Sequence, residues 1–241
     1  MINLSETKWT EETYQKFIKD LQKQADHKYK QFHGTLIKDN NLIGIRIPIL
    51  RNIAKDISKG DYQNFLKQNK HKTYEENMIH GFVISYLKTD FETQLKQLDN
   101  FLPYINNWAI CDCTCSTLKT FKNNQEKGYQ KIIKYLNSNN EWTIRTGLVL
   151  LLNYYINDQY IDKVLKQAIS IKNQDYYVEM ANAWLISMCY IKYKEKTEKI
   201  LKQKILTPFT QNKSIDKIKD SYRVSKEDKK RLLNYKFTSK N

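Results

Sequence analysis

Trp108 and Asp112 stand four residues apart in Asn106-Asn107-Trp108-Ala109-Ile110-Cys111-Asp112. The surrounding pattern is helical, and a spacing of four puts both side chains on one face. An indole face beside a carboxylate suits the stabilisation of something positive. Arg145 lies in Trp142-Thr143-Ile144-Arg145 and is the only charge between Glu141 and Asp158. An isolated Arg on an apolar helix either pairs with a buried carboxylate, for which Asp112 is the candidate, or grips a phosphate with two donors at once. Trp184 follows Ala181-Asn182-Ala183, whose small residues would let a second helix approach. Each group also has a plain structural use. The two Trp can be core aromatics at helical spacing, and Asp112 can cap or pair at a helix edge. An Asp inside an otherwise apolar helix is unfavourable by propensity, so something should compensate for it.

A second group of residues could hold a polyanion. Lys217, Lys219, Arg223, Lys226, Lys229, Lys230 and Arg231 form a basic zone interleaved with Tyr222. Such a zone gives affinity for phosphates without reading sequence. Its bland counterpart is a solvated basic helix. The charge is uneven: the chain is +15 overall, and residues 192–241 alone hold 16 Lys/Arg against 6 Asp/Glu. Nucleic acid is the natural partner for that excess. The competing explanation is a Lys-rich composition with no functional meaning. Cys111, Cys113 and Cys115 crowd one helix, and Cys189 stands apart. This spacing neither encloses zinc nor builds a disulfide framework, so a reduced cytosolic setting and no metal are expected. A catalytic thiol would want a nearby His, yet the four His, at 27, 33, 71 and 80, lie elsewhere in the sequence. The thiols are therefore expected to pack as small buried hydrophobes.

The elements that must position these groups read as helices throughout. The chain has 241 residues, only 6 Gly and only 3 Pro, too few turn residues for an all-β fold. Asn3–Lys30 reads as one or two amphipathic helices with Trp9, Tyr14, Phe17, Ile18 and Leu21 inward, and residues 31–45 read as a loop. Pro48 suits a first helical turn, with Ile49, Leu50, Ile53 and Ile57 on one face. Asp61 would cap a short helix to Lys70, and Thr73 with Glu76 forms a capping-box pattern ahead of Met78, Ile79, Phe82, Val83, Tyr86 and Leu87. Further helices are predicted over 91–105, 108–121, 125–136, 141–156, 159–171, 175–193 and 194–205. Pro208 should start one more short element, and Ser225 should cap a last helix over 226–235. About a dozen helices in antiparallel pairs, recurring every 35–45 residues, predict an all-α chain. An α-solenoid is the expected form and a compact bundle the competing one. A single domain over residues 1–241 is expected. The polar segment 1–20 lacks a signal-peptide pattern, and the longest apolar run, around 148–156, is too short to span a bilayer.

Taken together, Trp108-x-x-x-Asp112, Trp142-x-x-Arg145 and Ala-x-Ala-Trp184, on paired helices in a basic chain, resemble the DNA alkylation repair glycosylase family of HEAT-like repeats. Gly44-Ile-Arg-Ile-Pro-Ile-Leu-Arg-Asn-Ile-Ala-Lys55 is similar to its entry segment, and Ser221-Tyr-Arg-Val-Ser-Lys-Glu227 to the tail of its near relatives. The resemblance implies a concave basic groove on double-stranded DNA and excision of positively charged N3- and N7-alkylated purines without base flipping. It implies Asp112 as catalytic carboxylate, Arg145 as phosphate-binding cation, and Trp108 and Trp184 as aromatic walls around the lesion's sugar. It further implies a cytoplasmic monomer that uses no metal or cofactor. The alternatives are a non-catalytic helical-repeat module binding nucleic acid, and a protein-interaction scaffold.

Overall fold

The computed structural model describes residues 3–37 and 41–238. All regular structure among them is helical: fourteen α-helices, two short 3-10 turns and no strand. The chain divides into two compact units, Met1–Thr120 and Phe121–Asn241. They differ in charge, with 17 Lys/Arg and 14 Asp/Glu in the first against 24 and 12 in the second.

In the first unit, α1 (Glu11–Gln22) starts at a capping box between Thr10 and Thr13 and buries Tyr14, Phe17 and Leu21. Trp9, just ahead of it, joins Phe17 and Phe65 in an edge-to-face cluster with centroids 4.9–5.9 Å apart. Such pairs add about 0.5–1.5 kcal/mol each beyond their buried area. Next comes α2 (His27–Ile37), which overturns the loop expected over 31–37. Weak periodicity hid it: His33 and Ile37 face inward, while Phe32 and Leu36 stay exposed. Residues 38–40 of that expected loop lie outside the described residues. In α3 (Ile47–Ile57), Pro48 occupies the first turn as predicted. The inward set is Leu50, Ala54 and Ile57, whereas Ile49 is exposed and Ile53 half-buried, contrary to the expected face. The short α4 (Tyr62–Gln68) has Asp61 at its cap position without the capping bond. The Asp61 carboxylate instead accepts from the Asn64 amide and the Trp9 backbone N–H.

The centre of this unit is α5 (Tyr74–Tyr86), buried without a break from Tyr74 to Ser85 and packed against both α3 and α7 (Trp108–Thr117). A helix apolar on every face belongs inside. Its predicted Thr73–Glu76 capping box is present. Gly81 makes the close approach of α7 possible, because a methyl group there would collide with the Thr114 side chain. Two buried carboxylates sit in its first turn. Glu76 accepts from the Tyr14 hydroxyl at 2.5 Å and from Thr73 N at 2.8 Å. Glu75 is fully buried and accepts three consecutive backbone N–H groups, from Ile43 at 2.8 Å, Gly44 at 2.8 Å and Ile45 at 3.1 Å. Gly44 serves this clamp with φ of +105°, a conformation closed to ordinary side chains. α6 (Phe91–Phe101) ends four residues before the predicted 105, giving way to a 3-10 turn at Pro103, whose ring disfavours a helical residue before it. α7 stops at Thr117, four residues short of its predicted end, because Leu118 leaves helical geometry.

His80 on α5 is 5% exposed and stacks on Phe101 at 4.4 Å. Neither ring nitrogen has a hydrogen-bond partner. Burial, helped by the nearby His71, holds its pKa well below the usual value. The unfolded chain therefore takes up a proton that the native chain refuses. Stability from this group is complete above about pH 6.5 and is lost as pH falls below it, with a slope of up to about 1.4 kcal/mol per pH unit. Urea melts at pH 7 and at pH 5.5 should show that loss, and His80→Phe should flatten it. An unchanged slope in the variant would assign the acid sensitivity elsewhere.

The second unit is built on α8 (Gln125–Leu136), α9 (Glu141–Tyr154), α10 (Ile161–Ser170), α11 (Tyr176–Lys192), α12 (Lys194–Gln203), α13 (Pro208–Asp220) and α14 (Lys226–Leu233). Most boundaries fall within two residues of those read from the sequence. α13 is a full thirteen-residue helix, where a short element was expected. α11 is its central helix, packed on α9, α10, α12 and α13, and α8 packs on α9. The Ser225 cap on α14 is present, its hydroxyl accepting from Asp228 N at 3.1 Å. No helix among the described residues is long and apolar enough to cross a membrane.

Candidate functional site

Trp108 is the first residue of α7. The Asn107 side chain caps that helix by accepting from Ile110 N at 3.1 Å, which fixes where the indole emerges. Trp108 is half-buried, and its Nε1 donates to the Leu36 carbonyl at 3.4 Å. The C-terminal end of α2 therefore borders the candidate site, a neighbour that sequence reading placed in a loop. One turn along, Asp112 is also half-buried. On the far side of the helix Ile110 and Thr114 are fully buried and anchor it in the first unit's core, and Cys111 and Cys115 on its flank are fully buried too. Their packing role is as expected. Cys113 is only half-buried, and burial still pushes its thiol up, aided by Asp112 and opposed by Arg51. A thiol shifted that way is a poor nucleophile at neutral pH. Cys189 is buried, its thiol pushed up to about 12 by burial.

Arg145 lies on α9 in the second unit and is 5% exposed. Its Nη1 donates to the Tyr177 carbonyl at 2.7 Å, and the guanidinium carbon sits 6.0 Å from the Tyr177 ring centroid. Tyr177 is a junction that sequence reading missed. Its backbone N–H donates to Glu141 at 3.0 Å, and its ring lies 4.9 Å from that of Trp142. The signal was available, since an Arg and an acid one helical turn apart at the start of α9 needed partners on a neighbouring helix.

Trp184 is half-buried on α11, and Met188, one turn further on, is half-buried too. Spacing of four puts them on the same face. The exposed Arg223, between α13 and α14, brings its Nη2 to 3.8 Å from the Met188 sulfur. The structure thus sets one predicted basic residue a single turn from Trp184. Lys217 and Lys219 are half-buried in the last turn of α13, where cations favour the helix dipole. Lys226 opens α14 and is exposed. A cation at a helix N-terminus opposes the dipole, so its charge serves no helical purpose. Tyr222 is fully exposed. Arg231 departs from the basic zone: it turns inward to Glu198 at 2.6 and 2.9 Å and to Asp228 at 2.5 Å. That pairing holds the Glu198 carboxyl below its ordinary range. Among the described residues, no three His, Cys, Asp or Glu side chains converge as metal ligands would.

A helical chain with an indole and a carboxylate on one helix face, and a basic second unit, fits a protein acting on nucleic acid. The chain belongs to the family of DNA alkylation repair enzymes, whose sequence pattern matches residues 13–218. No curated protein matches the chain.

Proposed function

We propose that this DNA alkylation repair protein is a monofunctional DNA glycosylase that hydrolyses the N-glycosidic bond of cationic N3- and N7-alkylated purines in double-stranded DNA. The observation that carries the reading is α7 itself, in a chain of this family. The helix offers half-exposed Trp108 and Asp112 from one face while fully buried Ile110 and Thr114 root the other. An N-alkylated purine already bears a positive charge and leaves as a neutral base, so it needs little help from a general acid. Departure breaks the bond from C1′ to the base nitrogen and leaves an oxocarbenium-like sugar. Asp112 stabilises that cation and orients the water whose oxygen bonds to C1′, while the water's proton passes to the carboxylate and on to solvent. Glycosidases usually need two carboxylates; one suffices when the leaving group carries its own charge. The faces of Trp108 and Trp184 add about 0.5–2 kcal/mol each of cation–π attraction. Arg145 holds a backbone phosphate, and Lys217, Lys219, Arg223 and Lys226 hold the duplex. In this reading the helices form a HEAT-like solenoid with a basic concave groove, the protein acts as a cytoplasmic monomer, and no cofactor takes part.

The test is to incubate the protein with duplex DNA containing N7-methylguanine and to score free base and abasic sites. Release of base supports the reading. DNA binding with a steep salt dependence but no turnover would favour the non-catalytic module, a reading that the near-complete burial of Arg145 also serves.

A further inference from the structure

The first unit has an open cleft of about 690 Å³ where α3 and α5 end. Lys55, Lys59 and Lys88 line it, with Tyr62, Tyr86 and Thr89 between them, and no carboxylate does. Of the three lysines, Lys59 is bound to Asp56 at 2.8 Å. Lys55 and Lys88 are exposed and make no ion pair among the described residues, and the Lys55 ammonium lies 5.4 Å from the Tyr86 ring centroid. Asp90, next to Thr89, caps α6 by accepting from Thr93 N at 2.8 Å, and its second oxygen accepts from the Thr89 hydroxyl at 3.4 Å.

Arg51 orients the Tyr86 hydroxyl. It sits one turn before Lys55 on α3, with its guanidinium 4.1 Å from the Phe82 ring centroid. Its Nη1 donates to the Tyr86 hydroxyl at 3.0 Å and to Thr117 Oγ1 at 2.8 Å. The Tyr86 oxygen thus accepts from Arg51, which leaves its own O–H to donate to a ligand. Two ammonium groups outside any ion pair among the described residues and one pre-oriented phenol, in a lining without a carboxylate, make a receptor for phosphate oxygens.

We infer that this cleft holds the DNA phosphodiester backbone at a point away from the damaged nucleotide, through Lys55, Lys88 and Tyr86. The inference rests on the glycosylase reading for its ligand. The position follows from α7. Asp112 is its fifth residue, and Thr117, which Arg51 contacts, is its tenth and last. The five residues from Asp112 to Thr117 rise about 7.5 Å, or about two nucleotide steps along one strand, so a ligand at Arg51 and Tyr86 is a different phosphate from the one at the lesion. An ammonium there binds every duplex, damaged or not.

The experiment measures binding of unmodified duplex DNA by fluorescence anisotropy across a salt series, with wild type and the Lys55→Gln/Lys88→Gln double variant. Both positions are exposed, so the fold should persist, and circular dichroism checks it. The expected result is affinity lower by about tenfold or more at low salt, with the slope of log K against log salt shallower by about 1.8, two phosphate contacts at about 0.9 each. Unchanged affinity and slope would overturn the inference. A parallel arm titrates inorganic phosphate and a mononucleotide. Tight saturable binding of either, lost in the variant while duplex affinity is kept, would also overturn it by assigning the cleft to a small phosphate ligand. Failure of the glycosylase reading looks different: wild type releases no base, whatever the salt slope does. Tyr86→Phe refines the assignment, since it should weaken duplex binding without altering the slope.

Discussion

Asp112→Asn is expected to reduce release of N7-methylguanine by on the order of 10²–10³-fold, the usual loss when one preorganised charge-stabilising group is removed. The variant keeps the shape of α7 and removes only the charge opposite the developing sugar cation. DNA affinity should be unchanged or tighter, since one negative group facing a polyanion is gone. Single-turnover assays with enzyme in excess separate the two quantities. Full activity in the variant would remove Asp112 from the chemistry. Lost activity accompanied by lost DNA binding would point instead to a structural role. The split between unchanged binding and lost turnover is what distinguishes a catalytic carboxylate from a helix-edge ion-pair partner.

Glu75→Ala should have the largest effect on stability. The native carboxylate accepts the N–H groups of Ile43, Gly44 and Ile45 in a fully buried position. Truncation leaves three buried donors without an acceptor, at about 1–3 kcal/mol for each one that water does not reach. A loss of about 3–5 kcal/mol is expected, which for a chain of this length lowers the Tm by about 10 °C. Glu75→Gln should cost less. Its remaining oxygen can still serve Gly44 and Ile45, which share Oε1 in the native chain, while its amide would face the Ile43 N–H. Thermal melts order the three proteins as wild type, Gln, Ala. An Ala variant melting with wild type would show that water satisfies the segment and that the clamp does not hold it.

The all-helical fold was legible because its signals are local. Thr73 and Glu76, Pro48 and Ser225 mark helix starts through interactions within one turn, and the structure has each of them. Helices whose signals are not local were misread. α2 carries exposed Phe32 and Leu36, so its weak stripe passed for a loop, and Ile49 and Ile53 looked inward because periodicity cannot tell a core face from the wall of an open groove. Arg231 looked like one more cation in a basic run, yet Glu198, thirty-three residues away, claims it.

The sequence by itself determined the helices, the family's residue pattern and the spacing that sets Trp108 and Asp112 on one face, because helical geometry converts a separation of four into a shared side. Tertiary structure alone decided what each charged group meets. It put Glu75 under three backbone N–H groups, gave Arg145 the Tyr177 carbonyl, and set Lys55 and Lys88 in one cleft. Those outcomes depend on which segments pack together, and burial, which sets the value of every charge, exists only once they have.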